Sequence, residues 1–348
     1  MNKSSTMQKP ILLLTLGLSL AGPALHAQMA GANLQADSMQ QRRQLTETAL
    51  ALRDTNSVPS LFDGETDDVG PQSVLLARAR RIHWEAFADA QYFHTDNAFL
   101  TDHNRQGADV LVSTAQAALS LGPVKVADGA LTPRLGYQQQ WFNYDLIGSG
   151  RVTVIDPATF STKDVKLNTF DFSAGTAFGD LAWRCENWVV GAGADFRRLL
   201  DSGNYREFYR EYVPRWSLRR DFLLCPNVGI SLGYEGDYRF TETTVTPNPG
   251  YPDNYNDRND HSLVLVGSWQ VCRNAILQPY YRLQYSHYTQ THRDDVLNSV
   301  GLALNCPLGE NVTLRAFAGY DTLHTDGYLA KNYGKLDLGG GLNLTVRF

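Results

Sequence analysis

The sequence lacks long apolar stretches and any surplus of positive charge. After residue 22 no apolar run approaches the ~18 residues that a transmembrane helix needs. The 31 Lys and Arg residues are outnumbered by 36 Asp and Glu residues, so a basic face for nucleic acid is not indicated. What is plentiful is Tyr, Phe and Gly, with counts of 17, 15 and 29. This composition fits an exported all-β protein, including a transmembrane barrel, in which only alternate residues face lipid.

The first 27 residues have the features of a secretory signal peptide. Lys3 and Lys9 precede the apolar stretch ILLLTLGLSLAG, and PALHA supplies small residues before a cleavage point after Ala27. An apolar stretch of about 11 residues is too short to cross a bilayer. We therefore expect residues 1–27 to be removed on export.

Cysteine is scarce, and its four occurrences mark a repeat. They lie in the similar settings AWRCENWVV, FLLCPNVGI, WQVCRNAIL and ALNCPLGENVTL. In each, two apolar segments meet across a short turn rich in Asn or Pro. The opposite connections, such as TETTVTPNPGYPDNYNDRND, are longer and polar. Short turns on one side and longer loops on the other are typical of an outer-membrane barrel.

The segments between the turns alternate strictly between apolar and polar residues. One face of the segment from residue 228 to 240 is apolar, while Ser231, Glu235 and Asp237 share the other. A soluble β-sandwich also alternates, but its strands usually have about 5–6 residues, and these run to about a dozen. We predict a closed antiparallel transmembrane β-barrel of about twelve strands. The predicted strands are 82–96, 107–122, 131–146, 164–183, 188–199, 206–224, 228–240, 261–272, 275–290, 295–306, 312–323 and 334–348.

The last predicted strand carries a resemblance to a known class. Leu342, Leu344 and Val346 alternate before Phe348, and this ending resembles the C-terminal signal of Gram-negative outer-membrane proteins. In that class the barrel assembly machinery reads the signal. The stretch GPQSVLLARARRIHWEAFADAQYFHTDNAFL resembles the first strand of the beta-barrel porin families, in which an aromatic strand runs into a TDN loop. The resemblance implies an outer-membrane location, lipid around the barrel, and both termini on the periplasmic side.

The barrel is expected over residues 81–348, with a leader over residues 28–80. The leader has helical periodicity in ANLQADSMQQRRQLTETALALRDTN, followed by the acidic, Pro- and Gly-containing linker SVPSLFDGETDDVGPQS. Three interpretations remain open. The leader is a poorly ordered periplasmic segment, a helix that plugs the lumen, or a segment that docks a partner.

Charged residues on the inward faces point to a channel. A mixed lining of a water-filled barrel selects solutes by size and charge. We therefore predict passive diffusion of small hydrophilic solutes, with a mild anion preference if the arginines cluster. The alternatives are a closed barrel filled by ion pairs and an autotransporter-like translocator. The predicted pore-lining residues are Arg197, Arg215, Arg219, Arg282, Arg315, Glu235, Asp237 and Asp321.

The cysteines are expected to form disulfides, because an exported protein meets an oxidising compartment and four is an even number. Three pairings are possible. Since successive turns on one rim are neighbours, the favoured pairs are Cys185–Cys225 and Cys272–Cys306.

Signals for enzymatic or metal chemistry are weak. His261-Ser262 and Ser286-His287 are the nearest candidates for a phospholipase-like site. Adjacent residues of a strand point to opposite faces, so neither pair places a base beside a nucleophile. The eight histidines and four cysteines show no metal-ligand spacing. We expect neither an enzyme nor a cofactor.

Overall fold

The computed structural model describes residues 32–44, 48, 82–102, 105–146, 148, 150–155, 162–244, 252–272, 274–309, 311–327 and 332–348. They include one helix, α1 (residues 32–44). Twelve long strands follow, and they are β1 (Ile82–Thr95), β2 (Ala108–Leu121), β3 (Gly129–Tyr144), β4 (Phe172–Cys185), β5 (Trp188–Asp201), β6 (Glu207–Cys225), β7 (Val228–Thr243), β8 (Arg258–Cys272), β9 (Ala275–Tyr288), β10 (Arg293–Pro307), β11 (Val312–Thr325) and β12 (Tyr333–Arg347). The expected signal peptide and the whole linker lie outside the described residues.

The strands form a closed antiparallel barrel. Each strand pairs with its neighbours in sequence, and β12 pairs back with β1. At this seam the backbone N–H of Phe348 donates to the carbonyl of Trp84 at 2.9 Å, and the N–H of Trp84 donates in return at 3.3 Å. The closed ring leaves no strand edge unpaired. The predicted twelve-stranded barrel is therefore confirmed.

The outer surface is an apolar band bounded by aromatic residues. Leucines such as Leu232, Leu265 and Leu338 lie near mid-strand and are about half exposed. Aromatic side chains are exposed towards both ends of the strands, as lipid-facing barrels require at the two membrane interfaces. Towards the short turns they include Trp84, Trp188, Trp269 and Phe348, and towards the long loops they include Tyr92, Trp141, Phe240 and Tyr285. No helix in the described part of the chain is long and apolar enough to span a membrane.

One predicted strand begins later than its sequence pattern indicated. The segment 164–183 was expected to be continuous, but β4 starts only at Phe172. Thr162–Lys166 instead pairs with Arg151–Ile155 in a separate two-stranded hairpin, and a short 3₁₀ helix, Leu167–Phe170, joins the hairpin to the barrel. Leu167 and Phe170 are buried, so this connection packs on the barrel instead of extending a strand.

Arg220 interrupts the apolar outer face of β6 near the short-turn rim. Its guanidinium lies 4.9 Å from the ring centre of Trp188 and 5.1 Å from that of Phe222. A cation stacked on aromatic rings at the membrane interface keeps its charge near the headgroups, which makes this outward charge tolerable.

The predicted disulfide between Cys272 and Cys306 is absent, and both cysteines are free. Cys272 pairs with Ala275, while Ile276 pairs with Asn305, so Cys272 and Cys306 are two strands apart at the same height. Two strand spacings amount to about 10 Å, whereas a disulfide needs Cα atoms within about 7 Å. Each cysteine lies at the end of the strand that precedes a short turn, so the strand that follows the turn separates it from the next cysteine.

The predicted disulfide between Cys185 and Cys225 is also absent. Cys185 pairs with Trp188, which pairs with Arg220. Cys225 lies five residues further along β6, or about 16 Å at 3.3 Å per residue. The two cysteines are therefore separated along the strands as well as across them.

We predict that all four cysteines react as free thiols. The test is thiol titration of protein unfolded without reductant, which should give four thiols per chain, with untreated and pre-reduced samples equal. A lower count in the untreated sample, with a cross-linked peptide found by non-reducing mapping, would contradict the separation of the turns.

A charge at the middle of the outer band should destabilise the barrel strongly. Leu265 is exposed on the outer face of β8, so Leu265→Arg should lower the free energy of unfolding in lipid vesicles by about 2–4 kcal/mol. Denaturant titration measures this change. Asn259→Arg, on the same face near the loop end of β8, is the matched control and should cost about 0–1 kcal/mol. Equal effects of the two substitutions would contradict the assignment of the lipid-facing band.

Candidate functional site: the occupied lumen

The eight predicted pore-lining residues all belong to ion pairs inside the barrel. Their partners lie on the same strand, on the neighbouring strand or two strands away. The pairs are Arg197 with Glu211 at 3.0 Å, Arg215 with Asp195 at 3.1 Å, Arg219 with Asp221 at 3.1 Å, Arg282 with Glu235 at 3.0 Å, Arg315 with Asp89 at 4.0 Å, Asp237 with Arg239 at 3.1 Å, and Asp321 with Lys335 at 3.3 Å. Each of the five predicted arginines has a carboxylate within 4.0 Å, so these five do not form a separate positive row.

Helix α1 lies inside the barrel and is held by a central carboxylate. Asp37 accepts from Arg197 at 2.5 Å, from Arg239 at 2.8 and 3.0 Å, and from Arg258 at 3.1 Å. Gln40, one turn further along, also contacts Arg197 and donates to Asp195 at 3.1 Å. Three guanidinium groups on one carboxylate form strong charge-assisted bonds, so Asp37 fixes the position of the helix. The described residues of the leader therefore lie against the inner wall of the barrel.

The opposite face of α1 is apolar and meets an apolar part of the wall. Ala32, Ala36 and Met39 follow the helical spacing of three and four residues and are at most 2% exposed. They belong to a buried cluster with inward residues of β1 to β6. Within that cluster Phe142 and Phe172 stack with ring centres 4.3 Å apart. The amphipathic helix therefore matches a lumen that is apolar on one side and charged on the other.

Two arginines near the end of α1 provide further anchors. Arg42 pairs with Asp337 and lies 4.9 Å from the ring centre of Phe317. Arg43 lies 4.2 Å from the ring centre of Phe87 and donates to Gln138 at 2.6 Å. Both side chains combine an ionic or amide contact with stacking on an aromatic face.

The helix runs from the loop end towards the turn end of the barrel. Near its start, Asn33 donates to the hydroxyl of Tyr209 at 3.0 Å, close to the loop end of β6. Beyond its end, the hydroxyl of Thr48 accepts from Arg219 at 3.0 Å, close to the turn end of the same strand. Since β1 begins at the turn end, the chain enters the first strand from the side towards which α1 points.

A cavity of about 410 Å³ remains beside the helix. Asp37, Gln40, Gln41, Gln44 and Thr48 line it from α1. The barrel wall contributes charged side chains of both signs, which are Arg134, Asp180, Asp195, Arg197, Arg215, Arg219, Glu235, Asp237, Arg239 and Arg282. Apolar side chains such as Val189 and Val213 complete the lining, and the size of the cavity falls in the range of about 300–1,000 Å³ that small-molecule sites occupy.

The sequence analysis missed the residues that organise this site. Arg239 continues the inward face of β7 beyond Asp237, so extending the alternation by one step would have found it. Arg258 opens β8 but lies in a segment that was predicted to be loop. Asp37 lies within the helical stretch of the leader, but nothing in the sequence shows which wall a helix will face.

The residues considered for hydrolysis do not come together. His261 points outward and contacts the hydroxyl of Tyr234 at 2.8 Å, while Ser262 points inward and accepts from Arg282 at 2.9 Å. His287 points outward to Asp294 at 2.6 Å, while Ser286 is buried in the lumen. Within the described ranges, no group of three or more His, Cys, Asp or Glu side chains could hold a metal ion.

Comparison with known proteins returns similarity at the level of folds. No protein-family model matches the sequence, and no curated protein matches it. Among solved structures, an outer membrane channel from Pseudomonas putida F1 is 12% identical with a TM-score of 0.47, covering 82% of this chain and 100% of that one. The translocator domain of the autotransporter NalP from Neisseria meningitidis is 10% identical with a TM-score of 0.42, covering 90% and 97%. An anion-selective porin from Comamonas acidovorans is 10% identical with a TM-score of 0.37, covering 76% and 99%.

Placing a charge on the apolar face of α1 should release the helix from the lumen. Ala36 is 0% exposed within the apolar cluster, and an unpaired carboxylate buried there is unfavourable by several kcal/mol. Ala36→Asp should therefore speed tryptic cleavage after Arg42 and Arg43 in folded protein by about tenfold or more.

The control is Gln41→Glu, which adds the same charge on the cavity side of α1 and should leave the cleavage rate within about twofold. Equally slow cleavage of the Ala36→Asp variant, in protein that still migrates as a folded barrel, would show that the apolar contacts do not retain the helix.

Proposed function

We propose that this chain is a porin-like channel of the outer membrane, through which small hydrophilic solutes diffuse passively, and that α1 closes it in the arrangement described above. The closed barrel with a lipid-facing band and a charged lumen supports a membrane channel. The helix in the lumen supports control of its opening.

The observation that carries this proposal is that the charged wall residues that contact α1 also have ion-pair partners on the wall itself. Arg197 keeps Glu211 at 3.0 Å, and Arg258 keeps Asp260 at 3.0 Å. Asp337, the partner of Arg42, keeps Lys335 at 3.3 Å. Removing one partner of a buried pair is strongly destabilising when it strands a charge. Departure of α1 strands no wall charge, so an open state is energetically accessible.

The sidedness follows from the connections between strands. We assign the short turns, the start of β1 and Phe348 to the periplasmic side, and the long loops to the outside, as in other bacterial barrels. The N-terminal end of α1 then lies towards the outside, which differs from the expectation that both termini are periplasmic. Outer-membrane lipid would surround the band, and the assembly machinery would read the segment that contains Leu342, Leu344, Val346 and Phe348.

The ion pairs favour weak charge selectivity. Each predicted pore-lining arginine has a carboxylate within 4.0 Å. Paired charges present little net potential to a passing ion, so these five arginines give the expected mild anion preference no support. Along this part of the wall, solutes should be selected mainly by size.

The alternatives are a closed structural barrel, a phospholipase-like enzyme and an autotransporter-like translocator. A translocator would share the barrel size and the helix that precedes the barrel. A structural barrel or an enzyme would give no current whether or not α1 is anchored, so conductance separates them from a channel.

Loosening the anchors of α1 should open the channel. The double variant Asp37→Ala/Arg42→Ala removes both ionic anchors, and each charge-assisted set contributes about 1.5–3 kcal/mol. In planar bilayers this variant should spend about tenfold or more time conducting than the natural protein. Ser38→Ala, a small change on the same helix, should behave like the natural protein. Absence of current steps from all three proteins would refute the channel.

A further inference from the structure

The carboxylate of Asp37 occupies a site that the barrel wall supplies almost entirely. The three arginines that contact it come from β5, β7 and β8 and are deeply buried, with Arg197, Arg239 and Arg258 exposed by 4%, 7% and 3%. They contact both carboxylate oxygens of Asp37. This geometry matches the planar, multidentate recognition of a carboxylate by guanidinium groups.

Two of these arginines lie side by side on the wall. Arg239 and Arg258 are direct cross-strand partners on the inward face of β7 and β8. Like charges directly opposite each other in a sheet are destabilising. Asp260 is close to both, at 2.9 Å from Arg239 and 3.0 Å from Arg258, and Asp37 contacts both from the lumen side. The wall thus presents two adjacent guanidinium groups towards the lumen, and α1 supplies the carboxylate that covers them.

Space for a solute adjoins this site. Asp37, Arg197 and Arg239 line the 410 Å³ cavity, together with Gln40 and Glu235. A solute whose carboxylate replaced that of Asp37 would have its remaining polar groups beside amide, carboxylate and guanidinium side chains. These groups suit the hydroxyls of a sugar acid better than an apolar chain.

We propose that Arg197, Arg239 and Arg258 form a binding site for the carboxylate of acidic hydrophilic solutes, and that Asp37 fills this site as an internal competitor while the lumen is closed. The inference rests on the proposed channel and adds the solute class. Because Asp37 is tethered next to the site, it competes at an effective concentration in the millimolar range or above. A free carboxylate therefore binds weakly until α1 moves away, and its binding favours the open arrangement.

The test compares glucuronate with glucose, which differ at a single carboxylate-bearing carbon. Titration calorimetry on the full-length protein in detergent at low ionic strength measures binding without relying on conductance. In the variant Asp37→Asn, which removes the competing charge, glucuronate should bind about tenfold or more tightly than in the natural protein. The affinity for glucose should not increase. Adding Arg258→Gln to Asp37→Asn should abolish the gain, because a wall guanidinium is lost.

The matched control is Glu242→Gln, which removes an exposed carboxylate that pairs with Arg210 outside the lumen; it should leave glucuronate binding unchanged. If Asp37→Asn does not yield a heat-modifiable barrel, Asp37→Ala removes the same charge and replaces it in the comparison. No gain for glucuronate, an equal gain for glucose, or a gain that survives Arg258→Gln would each overturn the proposal. Tighter glucuronate binding by a protein that never conducts would refute the channel alone and leave the carboxylate site in place.

Discussion

The whole structure depends on the closure of the backbone ladder between β1 and β12. In hydrocarbon an unpaired N–H or C=O group costs several kcal/mol, so a sheet can cross a membrane only if it has no edge. Closure divides every strand into a lipid-facing and an enclosed set of side chains. The apolar half must lie outside, and the charged half is therefore collected in a narrow space where the charges have to neutralise one another.

That enclosed space explains why a short amphipathic helix can belong to the barrel. A lumen lined only by charges would leave the apolar side of α1 against polar groups, and a lumen lined only by apolar residues would strand Asp37. The inward faces of β1 to β6 supply the apolar cluster near the loops, and β5, β7 and β8 supply the arginines. The helix is specific for this lumen because its apolar side meets the apolar part of the wall and its polar side, with Asp37, meets the arginines.

The barrel was largely predictable from the sequence, because alternation, turn chemistry and strand length are local properties. The inward assignment of Arg197, Arg282 and Asp321 followed from counting along a strand. The cysteine pairs were not predictable in this way, because cysteines at consecutive short turns have a whole strand between them in space. The role of Asp37 depends on contacts across 160 to 221 residues, and no local pattern carries that information. The start of β4 was misjudged because a β-hairpin that is not hydrogen-bonded into the barrel sheet can have the same residue composition as a barrel strand.

The aromatic residues at the two ends of the outer band also define the thickness of the membrane that the barrel fits. Trp84 and Tyr92 are both on the outer face of β1 and are eight residues apart, which corresponds to about 26 Å along the strand. A strand tilt of about 40° reduces this to a height of about 20 Å. This height is less than the thickness of a hydrocarbon layer of about 30 Å. In such a layer the barrel would have to thin the surrounding lipid or associate with other copies of itself. The spacing of its aromatic side chains therefore makes thin membranes the more favourable environment for this protein. This effect is separate from any targeting signal in its sequence.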